Sequence, residues 1–405
     1  MRVNSFKALR PSIELADQVA AVPYDTVDTE EARALADGNP YSLLRVSRPE
    51  IEFSRGTDIY SDKVYDRGLE NFLHFREKNY LVQDACPGLF VYRLEMKKHV
   101  QFGIVGCCSV ADYENNIIKK HEKTRADKEN DRTRHTITLR ANTGPVFLAY
   151  RDATSIDRLV KSAIAGKPVY DFTAVDGIKH TVWRMPDAPA VISEFNKVPV
   201  SYIADGHHRA ASAARACAKM REENKSHDGT EEYNWFLAVL FPASQLQIMP
   251  YNRCVADLNG LDEKALLEKI KKSFTVTAQA KPSPAGPGMA GMYLGGKWFG
   301  LQWKNDTDDP VLSLDVSYLQ AKLLDPVLGI KDPRTDKRID FIGGIRGTDE
   351  LVKRVDSGKA AVAFSMYPVT VEQVMAIADA GMIMPPKSTW FEPKLRSGLL
   401  VHAWE

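Results

Sequence analysis

The segment best suited to chemistry in this chain is a short glycine turn with three basic side chains. An apolar, strand-like run at 198–204 precedes the turn, and an alanine-rich, helix-like run at 210–220 follows it. A helix that begins at such a turn presents its first N–H groups and the positive end of its dipole to an anion. The residues of the turn, which we predict to bind a phosphate group, are Asp205, Gly206, His207, His208 and Arg209.

Each residue of this segment has a distinct role in that prediction. Gly206 would let the backbone approach a diphosphate closely, and Arg209 would clamp the phosphate oxygens. Two histidines and an arginine are costly to bury, which favours a functional turn. A structural turn whose histidines cap the edge of a sheet is the alternative.

A second candidate is the charged run at 117–135, in which seven Lys and Arg residues are mixed with four acidic ones. On charge alone, a solvated helix with i,i+4 ion pairs explains this pattern. Glu122 lies among cations, however, and could serve as an ionised base or as a metal ligand. His121 and Glu122 resemble the first half of the zinc-binding pattern HExxH, but Arg125 stands where the second histidine is required.

A third candidate is the proline-containing loop at 384–394. Its Lys387, Ser388 and Thr389, together with Lys394, could bind a phosphate or a carboxylate, and the prolines would stiffen the loop. A surface loop without a ligand is an equally good explanation. Asp25 and Thr143 stand in other turn-like segments and could face the site, but turn chemistry alone is sufficient to explain them.

The sequence lacks the common phosphate-binding loops. It contains neither GxxxxGK[ST] nor a GxGxxG that is followed by a helix. A Walker loop and a Rossmann dinucleotide site are therefore not predicted. The turn at 205–209 is therefore not rivalled by a segment with either of these phosphate-binding patterns.

The elements that must position these residues alternate between strands and helices. We predict strands at Phe102–Val110, Val146–Tyr150, Val198–Ala204 and Phe236–Phe241, and helices near 112–141, 155–165 and 208–222. This alternation is typical of an α/β or α+β fold.

Short-range signals add three further predictions. Thr29 is predicted as the N-cap of a helix at 29–36, and Asp262 as the cap of a helix at Glu263–Lys272. Gly295 and Gly296 stand between two β-prone runs and predict a hairpin with a primed turn.

The length of 405 residues is sufficient for two or three domains. We predict an N-terminal segment over residues 1–98, a nucleotide-binding core over 99–250 and a C-terminal α/β domain over 251–405.

Composition narrows the class of protein. The chain has 54 Lys and Arg against 53 Asp and Glu, which argues against a general nucleic-acid binder. No apolar run approaches the roughly 20 residues of a membrane helix, and the first residues lack the apolar core of a signal peptide. Five cysteines without a CxxC pair favour reduced thiols. These features predict a cytoplasmic protein without a membrane partner.

As a whole, the chain resembles the family catalogued as domain of unknown function 1015. Six short motifs that occur in order carry this resemblance, and they extend over nearly the whole chain. The motifs lie at 22–25 (VPYD), 39–42 (NPYS), 118–122 (IKKHE), 142–146 (NTGPV), 202–209 (YIADGHHR) and 386–389 (PKST).

The central part also resembles the ParB/sulfiredoxin-like fold, and most closely the free-serine kinases of that fold, which pair a His-Glu motif with a later Asp-Gly-His-x-Arg motif. The resemblance implies that Glu122 is the base for a hydroxyl group, assisted by His121, and that Asp205 to Arg209 hold the nucleotide. Lys120, Arg125 and the loop at 387–389 would hold the substrate. The insertion between the two motifs and the flanking segments have no counterpart in those small kinases.

The activity that follows from the resemblance is phosphoryl transfer between a nucleotide, ATP or ADP with Mg²⁺, and the hydroxyl of a small amino acid, serine or phosphoserine first. Two alternatives remain open at this point: a phosphatase or nucleotide hydrolase that uses water as the acceptor, and a non-enzymatic regulator that binds a nucleotide or DNA. The sequence leaves the direction of transfer and the oligomeric state open.

Overall fold

The computed structural model describes residues 1–404, and these form a mixed α/β protein, as predicted. The contacts divide the chain into two compact units. Met1–Leu246 and the residues from Pro393 onwards make up the first unit, and Gln247–Glu392 make up the second. No helix among residues 1–404 is both long enough and apolar enough to cross a lipid bilayer.

Strands and helices are numbered in chain order. The strands are β1 (Val3–Asn4), β2 (Leu9–Pro11), β3 (Leu81–Gln83), β4 (Phe90–Met96), β5 (His99–Ser109), β6 (Ile118–Lys119), β7 (Ala141–Asn142), β8 (Val146–Tyr150), β9 (Tyr170–Thr173), β10 (Lys179–Arg184), β11 (Ser201–Asp205), β12 (Trp235–Pro242), β13 (Gln247–Met249), β14 (Tyr251–Val255), β15 (Thr275–Ala278), β16 (Met289–Leu294), β17 (Lys297–Gln302), β18 (Ile339–Gly343), β19 (Val362–Met366), β20 (Trp390–Glu392) and β21 (His402–Ala403). The helices are α1 (Ala16–Val19), α2 (Thr29–Ala36), α3 (Leu44–Ser47), α4 (Asp62–Glu77), α5 (Val110–Glu114), α6 (Ala126–Leu139), α7 (Thr154–Ile164), α8 (Ala188–Phe195), α9 (His207–Glu223), α10 (Glu263–Ile270), α11 (Asp315–Leu319), α12 (Asp349–Asp356) and α13 (Val371–Asp379).

The first unit is organised around a mixed nine-stranded sheet. Its strand order is β6-β11-β8-β12-β5-β4-β10-β9, and β1 pairs with β5. The pair β6–β11 is parallel, and β11 runs antiparallel to β8. Helix α9 packs its small residues Ala210, Ala213 and Cys217 into the core beneath this sheet. Their spacing places them on one face of the helix, and their small size lets the helix lie close to the strands.

The second unit contains a six-stranded sheet in the order β15-β17-β16-β19-β14-β18. The predicted hairpin is present: Gly295 and Gly296 join β16 to β17 with φ of 53° and 75°. Positive φ at both central residues is the geometry of a primed turn. The predicted cap of α10 is also present, because Asp262 accepts a hydrogen bond from the N–H of Ala265 at 2.7 Å.

Three sequence-based expectations differ from the structure. The helix predicted over 112–141 is interrupted: α5 ends at Glu114, β6 follows, and α6 begins only at Ala126. Asn116 has a left-handed backbone (φ 57°) that ends the helix, and pairing of β6 with β11 stabilises the extended conformation.

The second difference is the N-cap of α2, which is Asp28 rather than the predicted Thr29. Asp28 forms a capping box with Glu31.

The third difference concerns the domain boundaries. The boundary predicted between residues 98 and 99 falls in the turn between β4 and β5, which are hydrogen-bonded neighbours in one sheet. Residues on both sides of that turn therefore belong to one unit. The boundary predicted after residue 250 lies near the observed one at Leu246, but the chain returns to the first unit at Pro393.

Two buried neutral histidines in the first unit predict acid sensitivity. Burial lowers the pKa of His135 to about 4, with a further contribution from Arg132 that outweighs Asp131. Burial, assisted by Arg396, lowers the pKa of His180 to about 2. The unfolded chain binds these protons near pH 6.5, so stability falls as the pH drops below 6.5. We expect each histidine to cost about 2 kcal/mol at pH 5 relative to pH 8.

Urea unfolding at pH 8 and pH 5 measures this loss. The imidazole of His135 donates its Nε2–H to the carbonyl of Val46 at 2.9 Å, and a glutamine can retain a donor there. His135→Gln should therefore reduce the loss between the two pH values by about 2 kcal/mol. An unchanged loss in this variant would assign the acid sensitivity to other groups.

Candidate active site

The two chemically promising segments of the first unit meet at one edge of the sheet. In the parallel pair, Ile118 lies opposite Ser201 and Lys119 lies opposite Tyr202. Parallel strands end at the same edge, so the residues after each strand become neighbours. His121 and Glu122 therefore lie beside the turn that starts α9, although more than eighty residues separate them in sequence.

The turn between β11 and α9 has the predicted strand–glycine–helix geometry. Gly206 is the N-cap of α9 and has φ 93° and ψ 31°, a left-handed conformation that favours glycine. A Cβ at this position would lie 2.9 Å from the Cζ and Nε atoms of Arg209. Glycine is thus required both by the backbone angle and by the guanidinium folded over it. His207 and His208 are the first two residues of the 17-residue helix.

His121, Glu122 and His207 form a compact cluster at this edge. The two imidazole rings are perpendicular, with centroids 4.5 Å apart, and are 1% and 5% exposed. The Nδ1 atom of His207 lies 3.8 Å from the Glu122 carboxylate, which is 44% exposed. Within residues 1–404, neither ring nitrogen of His121, nor Nε2 of His207, makes a hydrogen bond of normal geometry. Two buried imidazoles thus surround one accessible carboxylate.

Burial keeps these imidazoles neutral. It lowers the pKa of His121 to about 4, against the opposing influence of Asp205 and the Ile203 carbonyl. It also lowers the pKa of His207 well below its usual range, with help from the adjacent His121. The contact between His207 and Glu122 is therefore the approach of a neutral ring to a carboxylate, and not an ion pair.

The same cluster could hold a divalent transition metal. Each of the three side chains offers one ligand atom, and these atoms lie within 4.8 Å of one another. Two imidazole nitrogens and one carboxylate oxygen suit Zn²⁺ and related ions, whereas Mg²⁺ prefers oxygen ligands in octahedral geometry. The cluster therefore does not fit the Mg²⁺ implied by the resemblance.

Asp205 joins the turn to two cations. Its carboxylate accepts a hydrogen bond from Nη2 of Arg209 at 2.8 Å and lies 3.6 Å from Nζ of Lys394. Burial alone would raise the pKa of Asp205, but Lys394 and Arg209 outweigh it and hold this pKa well below its usual range. Arg209 also donates Nη1 to the carbonyl of Pro145. Both terminal nitrogens of Arg209 thus have partners within the protein.

His208 connects the turn to the Glu122 loop. Its Nε2 accepts a hydrogen bond from the backbone N–H of Arg125 at 3.1 Å, so that nitrogen carries no proton. Burial lowers the pKa of His208, while Asp25 acts in the opposite direction. Burial by itself would lower the pKa of Arg209. The interactions with Asp25, Asp205 and Tyr24 outweigh this effect, so the pKa of the guanidinium is raised. Asp25 therefore acts on two residues of the turn at 205–209, His208 and Arg209.

The remaining residues predicted from sequence lie in different surroundings. Lys120 stacks its Nζ over the ring of Tyr113 at 4.0 Å, and burial lowers the pKa of Lys120. The guanidinium of Arg125 pairs with Asp127 at 2.9 Å. Thus Arg125 reaches the turn through its backbone N–H, and Lys120 and Arg125 each have a protein partner.

The loop at 384–394 is divided between the units. Lys394 belongs to the first unit, whereas Lys387, Ser388 and Thr389 belong to the second. The hydroxyl of Ser388 donates to the carbonyl of Pro385 at 2.7 Å, and Lys387 has a left-handed backbone with φ 55°. The role of Lys387, Ser388 and Thr389 in substrate binding stays a prediction.

A family model described as "Protein of unknown function (DUF1015)" matches residues 3–317. The chain belongs to the DUF1015 family. No protein with curated annotation matches it in sequence.

Solved structures similar to this DUF1015 protein include a free serine kinase mutant in complex with AMP. The two share 12% identity, and the match covers 74% of this chain and 92% of that one at a TM-score of 0.38. A conserved hypothetical protein from Pyrococcus furiosus shares 13% identity, with 74% and 94% coverage and a TM-score of 0.36. SbnI with a C-terminal truncation from Staphylococcus aureus shares 11%, with 74% and 87% coverage and a TM-score of 0.39.

Three of the sequence motifs of this DUF1015 protein converge on Arg209. Tyr24, Thr143 and Arg209 line a small cavity of about 40 Å³ in the first unit, together with Arg132 and His135. The guanidinium of Arg132 lies 4.3 Å from the centroid of the Tyr24 ring. Residues from motifs that are far apart in sequence thus pack around one cavity next to the turn at 205–209. This packing holds Arg209 in place.

Proposed function

We propose that this protein transfers a phosphoryl group between a nucleotide and the hydroxyl of a small amino acid, with serine and phosphoserine as the first candidates. The observation that carries the proposal is the meeting of Glu122 with the start of α9. An accessible carboxylate stands 3.8 Å from His207, the first residue of a helix that begins at a left-handed glycine. A proton acceptor and an anion-binding helix terminus are two of the components that phosphoryl transfer uses.

The start of α9 would bind the phosphate groups of the nucleotide. The first N–H groups of any helix lack acceptors within that helix, and its dipole favours negative charge there. This helix has 17 residues and begins after a left-handed glycine, over which the guanidinium of Arg209 is folded. Asp205 is already paired with Arg209 and Lys394, so it adds little repulsion to an incoming phosphate.

Glu122 would move the proton. In the direction of phosphorylation, the hydroxyl oxygen of the amino acid forms a bond to the terminal phosphorus while the bond to the nucleotide leaving oxygen breaks. The carboxylate of Glu122 takes the hydroxyl proton. In reverse, an oxygen of ADP attacks phosphoserine and the departing serine oxygen recovers the proton from Glu122. Lys120 and Arg125 would contribute positive charge near the substrate, and most of the catalytic effect would come from positioning and charge stabilisation.

Thermal unfolding in the presence of ligands tests the nucleotide part of the proposal. ADP, ATP, pyrophosphate, serine and phosphoserine are compared, each with and without Mg²⁺. A ligand at a hundred times its Kd stabilises the folded state by about 2.7 kcal/mol, which corresponds to a rise of about 5 °C in Tm for a unit of this size. We expect such a rise with ADP or ATP. The absence of any rise with the nucleotides and with pyrophosphate would remove the proposal.

Hydrolysis is the second candidate function, because Glu122 is 44% exposed and therefore open to water as an acceptor. The two reactions differ in what they require. Release of inorganic phosphate from phosphoserine without any nucleotide would favour hydrolysis. Formation of serine that depends on ADP would favour transfer.

A further inference from the structure

The second unit contains a buried arginine that has no acidic partner in the part of the chain that the structure describes. Arg253 lies on β14 and is 3% exposed. It borders a cavity of about 280 Å³. A buried charge without a counter-ion is costly, and proteins usually pair such a group with a carboxylate. No ion pair to Arg253 is present among residues 1–404.

Contacts with neutral groups fix the orientation of this guanidinium. Its Nη1 donates to the carbonyl of Tyr251, and its Nη2 donates to the carbonyl of Lys387 at 3.2 Å. Its Cζ lies 5.4 Å from the centroid of the Phe341 ring. Strand β14 pairs with both β18 and β19, so the backbone that carries Arg253 is also held on two sides. An arginine with five N–H donors retains donors beyond these two bonds.

The charged groups around the cavity leave it positive. Lys331, Asp332 and Arg334 line it with Arg253. Asp332 is occupied by Arg334 through contacts of 2.9 and 2.8 Å, and Lys331 forms no ion pair within the described chain. Burial lowers the pKa of Arg253 to about 10, and only Tyr251 opposes this shift. Two cationic side chains, Arg253 and Lys331, therefore face the cavity without compensation by an acid.

We propose that this cavity binds a small organic anion, with its phosphate or carboxylate group on Arg253 and Lys331. A planar, pre-oriented guanidinium matches the paired oxygens of either group. Val316, Leu324 and Phe341 supply an apolar wall, which suits the carbon portion of such a ligand. The volume lies near the lower limit of ligand pockets, about 300 Å³, and so restricts the ligand to a small metabolite. This site belongs to the second unit and does not depend on the proposed phosphoryl transfer.

Titration calorimetry of the full chain with three probes tests the proposal: inorganic phosphate, phosphoserine and succinate. Lys331→Glu reverses a charge at the exposed rim of the cavity, and Lys337→Glu is the matched control, because Lys337 is also exposed in the same loop but does not line the cavity. We expect Lys331→Glu to weaken at least one probe tenfold or more, and Lys337→Glu to change binding less than twofold. Selective binding of phosphoserine or of succinate identifies the phosphate ester or the carboxylate as the preferred head group.

Crystals soaked in tungstate locate the anion independently, because tungsten is visible by its anomalous scattering. Tungstate beside Arg253 and Lys331 is the expected result. An empty cavity, together with equal binding by the Lys331→Glu and Lys337→Glu variants, would overturn the proposal. Loss of nucleotide binding at the start of α9 leaves this outcome unchanged, so failures of the two proposals are distinguishable.

Discussion

Replacing Glu122 by glutamine should lower the turnover number for phosphoryl transfer by about 10²- to 10⁴-fold, the range expected when a general base is removed. Glutamine has nearly the same size but cannot accept the hydroxyl proton as a carboxylate does. Nucleotide affinity should change less than about threefold, because the phosphates are assigned to the start of α9 and not to Glu122. Steady-state kinetics with serine and ATP, and with phosphoserine and ADP, measure kcat and KM separately.

The matched control is Glu222→Gln, the same chemical change at an exposed position of α9, where the carboxylate pairs with Lys219 at 3.5 Å. Its turnover should equal that of the unmodified protein. Full turnover by Glu122→Gln would contradict the assignment of the base. Loss of activity together with loss of bound metal from the variant would assign Glu122 as a ligand in the His121–Glu122–His207 cluster instead.

Replacing Asp205 by asparagine should lower the free energy of unfolding by about 3 kcal/mol, the lower end of the cost of breaking a buried ion pair. The change leaves Arg209 and Lys394 without their shared carboxylate. We place the cost at the lower end because the Asp205 side chain is 28% exposed. Urea unfolding measures the loss. An anionic ligand at the start of α9 would replace the missing charge, so the rise in Tm caused by pyrophosphate should be larger in this variant than in the unmodified protein.

Asp62→Asn is the control for that experiment. Asp62 pairs with Arg134 on the surface and is 86% exposed, so its loss should cost less than about 1 kcal/mol. A cost for Asp205→Asn as small as this control value would mean that the ion pairs of Asp205 contribute little to stability. A smaller pyrophosphate effect in Asp205→Asn would argue against an anion site at this turn.

Local sequence patterns predicted much of the fold, because their signals act over a few residues. The cap of α10 at Asp262 depends on a side chain and an N–H three residues apart. The hairpin at Gly295 and Gly296 depends on two positive φ angles that glycine adopts without strain. The left-handed Gly206 between a strand and a helix is of the same kind. The helix predicted across Glu122 was wrong, because pairing with a distant strand overrides the weak helical pattern of a charged segment.

The turn at 205–209 was determined by the sequence itself, since glycine between an apolar run and an alanine-rich run specifies a strand, a left-handed residue and a helix start. Its surroundings were decided only by the tertiary structure. Parallel pairing of β6 with β11 brings Glu122 beside His207, and the returning chain brings Lys394 to Asp205. The burial of Arg253 without an ion pair among the described residues likewise depends on which groups surround it in space. These contacts depend on the order of the strands in the sheets and on the return of the chain to the first unit at Pro393. No local sequence pattern encodes either feature.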